Sequence, residues 1–145
     1  MEIKPKYGVG DLLFGMKQQH VVAMYGKPSS QFKDEDGNII YMYNPHKMRL
    51  TFYEDEDFRL GYIVISHPDS LLFGKKVMGL PTKEVTGFLE EKHFKNWETT
   101  EENGMDNVFN EENWLMLIAE YNEIVKVEVG AVFNNQDEFD WKFSG

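Results

Sequence analysis

Leu12-Leu13-Phe14-Gly15 recurs letter for letter as Leu71-Leu72-Phe73-Gly74, and how this pair is read decides the fold expected of the chain. A tetrapeptide repeated at a shift of 59, with comparable sequence after each copy, points to an internal duplication. After the first copy, Met16 to Gly26 reads as a short helix with Val21, Met24 and Tyr25 as its apolar stripe, stopped by Gly26 and Pro28. After the second, Leu80-Pro81-Thr82-Lys83-Glu84-Val85 opens a helix with Pro81 in its first turn and Val85, Phe88 and Leu89 on the matching stripe. The stripes correspond at a shift of 64, which implies five residues inserted around Lys75 to Gly79.

Each helix precedes strand signals separated by closely spaced turns, the pattern of antiparallel meanders rather than of βαβ crossovers. In the first half these fall at Ser30 to Lys33, Asn38 to Tyr43, Met48 to Tyr53 and Phe58 to Ser66, with Asp36-Gly37 as a two-residue hairpin signal. In the second they fall at Phe94 to Glu98, Asp106 to Phe109, Trp114 to Tyr121 and Ile124 to Phe133. Val125, Val127 and Val129 alternate with Lys126 and Glu128, so one sheet face is expected under the helices and the other in water. The expected fold is therefore α+β: two repeated units, each a short helix followed by a meander of about four strands, with the helices on one face of the sheet. A single domain would hold halves at about 8–66 and 67–133 and a C-terminal tail at 134–145. That tail carries Phe139, Trp141 and Phe143 at a spacing of two, as an edge strand or a packed segment would.

At 145 residues, 41% of them hydrophobic and 14% aromatic, the chain has the apolar content for a core of its own without a metal or partner. Twenty-five acidic residues against fifteen basic ones give a net charge of −10, which repels a nucleic-acid backbone and favours a basic protein partner. The absence of cysteine removes disulfides, thiolate nucleophiles and sulfur-built zinc sites. No stretch approaches the ~20 apolar residues of a membrane span, and the polar start lacks a signal-peptide core. A reducing cytoplasm is the expected location.

Leu13-Phe14-Gly15-Met16, followed through Val21-Val22 to Tyr25-Gly26-Lys27-Pro28, resembles the helix-then-meander unit of the outer-membrane assembly lipoproteins called SmpA/BamE. Duplicated, that unit is similar to the fold of the β-lactamase inhibitor proteins. The shared motif covers about a dozen residues per half. A lipidation cysteine and an export signal are absent, so the resemblance implies no envelope role. In size, acidity, lack of cysteine and lack of catalytic motifs, the chain also resembles the cytoplasmic immunity and antitoxin proteins of bacterial polymorphic toxins.

The chemistry-bearing residues have structural readings beside their functional ones. His20, His46, His67 and His93 lack the i, i+4 spacing of helical metal ligands, and no metal or cofactor is expected. His67-Pro68-Asp69 could place a carboxylate beside an imidazole, yet the sequence favours a turn and no nucleophile motif accompanies it. Asp34-Glu35-Asp36-Gly37-Asn38 has the middle of a calcium loop but neither end ligand. Gly8-Val9-Gly10 lacks the third glycine of a dinucleotide loop. An acid pair assembled across strands would make a hydrolase, but no motif singles one out.

What remains is recognition. Glu54-Asp55-Glu56-Asp57 concentrates four carboxylates in one turn, and alternation must send some meander aromatics outward, with Tyr41, Tyr43, Trp97 and Trp114 the candidates. The expectation is a non-catalytic binding protein, an immunity- or antitoxin-type inhibitor that occludes a basic toxin or enzyme. The alternative is a structural or assembly adaptor acting through a sheet edge or the C-terminal tail.

Overall fold

Two runs of strands, each returning on itself through tight turns, build the larger part of the molecule, whose computed structural model describes residues 1–145. The first run comprises β4 (Ser30–Lys33), β5 (Ile39–Tyr43), β6 (Met48–Tyr53) and β7 (Arg59–Ile65). The second comprises β10 (Trp97–Glu102), β11 (Met105–Asn110), β12 (Leu115–Glu120) and β13 (Glu123–Gly130). They join edge to edge through an antiparallel β13–β7 pair, in which Val127 faces Ile65 and Val129 faces Ile63. The result is one eight-stranded sheet in the order β10-β11-β12-β13-β7-β6-β5-β4.

Short segments form a second sheet of five strands. These are β1 (Glu2–Lys4), β2 (Gly8–Val9), β3 (Leu12–Leu13), β8 (Leu71–Leu72) and β9 (Lys75–Lys76), ordered β3-β2-β1-β8-β9. The β1–β8 pair is parallel, with Ile3 opposite Leu72. Two short helices, α1 (Gln18–Tyr25) and α2 (Thr82–Glu90), complete the inventory. Neither is long and apolar enough to cross a membrane.

The core lies between these layers. Leu50, Phe52, Leu60, Ile63, Leu115, Leu117, Val127 and Val129 of the large sheet share one buried cluster with Ile3, Val9, Leu12, Phe14 and Leu72 of the small sheet. Val21 of α1 and Val85 and Leu89 of α2 belong to it as well. Ile40 and Ile118 are also buried, but they point to the opposite face of the large sheet and stand outside that cluster.

This arrangement overturns the expected α+β fold of two repeated helix-plus-meander units. The chain is mainly β, its helices are only eight and nine residues long, and its strands divide into sheets of five and eight. The LLFG copies show why identical letters misled. Leu12 and Phe14 are fully buried in the first, whereas in the second Leu72 is buried and Phe73 is 45% exposed. The first copy supplies an edge strand of the small sheet and the second an interior strand, one residue out of phase. Side chains alternate along a strand, so a one-residue phase shift exchanges inside for outside.

Two bulges also shift the expected alternation. Ile124, not Val125, pairs with Ala119 and takes the core position, because Val125 is the extra residue of a bulge opposite Ile118 and Ala119. Gly61 plays the same part in β7, between Leu60 opposite Phe52 and Tyr62 opposite Thr51. The Asp36-Gly37 turn is longer than two residues: Asp34 Oδ1 accepts from the Asp36 and Asn38 amides, and Gly37 takes a φ of 82°.

Candidate partner-binding surface

Burial divides the expected contact residues. Tyr41 and Tyr43 are 5% and 2% exposed, on the core side of β5, so they cannot meet a partner. The Tyr41 hydroxyl accepts from Gln18 Nε2 at 2.9 Å, and the Tyr43 hydroxyl donates to the Gly26 carbonyl at 2.8 Å. Burial, with the neighbouring Tyr41 adding to it, pushes the Tyr43 phenol up to about 12. Trp97 is half-buried, and its indole N–H donates to the Phe94 carbonyl at 3.0 Å. Trp114 is 37% exposed on the outer face.

The acidic turn adopts a 3-10 conformation at Glu54–Glu56, with Asp57 left-handed at φ 55°. Its four carboxylates do different things. A Cβ on Gly37 would fall 2.0 Å from Glu54 Oε2, so Glu54 lies back against the neighbouring hairpin. Asp57 pairs with Lys17, and that ammonium holds its carboxyl below the usual range. Asp55 and Glu56 line a groove with Tyr53, Phe139, Asp36 and Asn38.

Tyr53 and Phe139 also line the adjoining pocket of about 320 Å³, whose remaining walls are Trp114, Phe133, Ala131, Val132, Glu111 and Glu112. An aromatic strip therefore runs along one end of the outer face with carboxylates on both flanks. Glycine places its rings: a Cβ on Gly61 would meet the Tyr53 ring at 2.1 Å, and one on Gly130 would meet the Trp114 indole at 2.2 Å. Both rings thus lie flat on bare strand backbone. Phe139 extends the strip, with its centroid 5.7 Å from Tyr53, 4.6 Å from Phe133 and 4.8 Å from Trp141.

A buried polar pair holds the turn that carries Glu111, Glu112 and Trp114. Asn110 Nδ2 donates to the Lys95 carbonyl at 2.6 Å, and Asn110 Oδ1 accepts from the Asn113 side chain at 2.8 Å and the Asn113 amide at 3.1 Å. Such a satisfied network fixes local geometry where propensity alone would not. The far end of the same face carries both signs, with Lys47, Arg49 and Lys126 around a concavity also lined by Glu120 and Glu128. Between the two ends, Tyr62 donates its hydroxyl to Glu128 across the β7–β13 junction, and burial together with that carboxylate pushes the phenol far above its ordinary value.

Three of the four histidines have structural work. His20 Nδ1 accepts the Lys17 amide at the start of α1, and the His20 ring packs 4.5 Å from Phe143. His46 packs edge-on against Tyr25, and His67 Nδ1 accepts the Asp69 amide in the His-Pro-Asp turn. No group of three or more His, Asp or Glu side chains is arranged to hold a metal ion.

Tyr53, Phe133, Glu111 and Glu112 were not among the residues expected to form the surface. The available signal was glycine: Gly61 and Gly130 interrupt strands that otherwise read as strong, which marks close approach of another group.

No family model and no curated protein matches the chain. Two solved structures share its fold. An extracellular protein containing an SCP domain from Bacillus anthracis str. Ames is 12% identical, aligned over 79% of this chain and 42% of that one, with a TM-score of 0.52. The present chain thus spans under half of that protein's length. The uncharacterized protein yfeY from Escherichia coli is 18% identical over 86% of this chain and 97% of its own, with a TM-score of 0.53. At these identities the likeness bears on the fold alone.

Proposed function

We propose that this chain is a non-catalytic binding protein, an immunity- or antitoxin-type inhibitor of the cytoplasm that covers a basic toxin or enzyme with the outer face of its large sheet. The observation that carries this reading is the strip of Tyr53, Phe139, Phe133 and Trp114 flanked by Asp55, Glu56, Glu111 and Glu112. Aromatic anchors bordered by charge are what protein interfaces use, since rings supply buried area while the charged rim sets orientation and association rate. The net charge of −10 selects a basic partner over an acidic one.

An adaptor working through a free C-terminal tail is less favoured. Phe139, Trp141 and Phe143 pack against the core, and the Lys142 and Phe143 amides both donate to the Phe14 carbonyl at 3.0 Å.

The test is co-expression with the toxic product of the adjacent gene. The chain is expected to protect cells and to form a stoichiometric complex, whereas Asp55→Lys with Glu56→Lys is expected to bind at least about tenfold more weakly. Absence of both protection and binding would remove this reading.

A further inference from the structure

The lining of the aromatic pocket combines two kinds of chemistry. Tyr53, Trp114, Phe133 and Phe139 present ring faces and edges, while Glu111 and Glu112 add two carboxylates. Neither charge is used within the chain: the four ion pairs occupy Asp57, Glu84, Asp69 and Asp140. The rings are equally free of internal cations, since the chain's cation–π contacts fall on Phe32, Phe88, Phe73 and Tyr7.

The occupant follows by elimination. An anion would be repelled by both carboxylates, and a purely apolar group would strip water from them without replacing its hydrogen bonds. A neutral polar group would gain little from the ring quadrupoles. A cation satisfies both parts of the lining. Of the two protein cations, the guanidinium leaves water more readily, stacks its plane on aromatic faces and directs its N–H edge at carboxylates, whereas the compact ammonium holds its hydration.

We infer that this pocket receives an arginine side chain of the basic partner, its guanidinium against the aromatic rings and its N–H groups toward Glu111 and Glu112. The inference rests on the proposed function, which supplies the basic partner, but the pocket can be tested without that partner.

The experiment titrates the full chain with acetyl-Gly-Arg-Gly-amide and with the same peptide carrying citrulline, a neutral isostere of arginine, while following the Trp114 indole N–H by NMR. The arginine peptide is expected to bind about tenfold more tightly than the citrulline peptide. Phe133→Ala, at a side chain 60% exposed, and Glu111→Gln with Glu112→Gln should each weaken the arginine peptide about threefold or more while leaving the fold intact. Equal binding of the two peptides, or indifference to both variants, would overturn the pocket assignment and leave the inhibitory reading standing. Arginine-selective binding by a chain that neither binds nor neutralises a basic toxin would do the reverse.

Discussion

Single side chains decide the surface more sharply than composition does. Trp114 lies on Gly130 with no room for a methyl group, so Gly130→Ala must push the indole off the strand. The expected cost is about 1–3 kcal/mol, read as a lower denaturation midpoint together with a changed Trp114 indole resonance. Asp57 makes a different kind of prediction, because its salt bridge to Lys17 lowers its folded-state pKa. A depressed carboxyl contributes stability above its unfolded pKa, and that contribution disappears as pH falls through the lower folded value. Asp57→Asn is therefore expected to melt earlier than the parent at neutral pH and together with it once the medium is well below pH 4, by thermal denaturation across that range.

Elements were legible where a pattern ran long enough to repeat. β4 and β6 occupy the segments expected of them, β6 with buried and more exposed residues in alternation and β4 set off by the turn residues Pro28 and Asp36-Gly37. Strands of two or three residues display no alternation, so the sequence carries no periodic signal for the small sheet, whose β2 falls in the Gly8-Val9-Gly10 stretch. Tyr41 and Tyr43 were misplaced for a related reason: they share one face of β5, and which face that is depends on pairing with Leu50 and Met48. The acidic turn is marked by residue type alone, whereas residue type does not separate exposed Trp114 from buried Tyr41 and Tyr43. The sequence places Phe139 in a C-terminal tail, but its position beside Tyr53 depends on the chain folding back on itself. Removing residues 136–145 is accordingly expected to cost at least about 3 kcal/mol, since it strips Phe139, Trp141 and Phe143 from the core. Urea denaturation of the truncated chain checks this, and an unchanged midpoint would show the tail to be dispensable.

At the scale of the molecule, the two runs of strands are joined along β7 and β13, with Tyr62 and Glu128 linked across the junction. The raised Tyr62 phenol means that the folded state favours its protonated form. Its contribution is complete below the unfolded tyrosine value near pH 10 and is lost as pH climbs toward the folded one. Alkaline unfolding of the parent should therefore coincide with late phenol ionisation in an absorbance titration. Tyr62→Phe should lose about 1–3 kcal/mol at neutral pH, because Glu128 keeps its half-buried position without its donor.

The same junction governs how the chain can be made. During synthesis β7 leaves the ribosome more than fifty residues before β13, its hydrogen-bonding neighbour, so the edge from Tyr62 to Ile65 waits unpaired while the intervening chain is translated. That apolar edge is the point at which a nascent or arrested chain would capture another strand, and truncation before residue 130 should yield aggregates rather than a smaller folded protein.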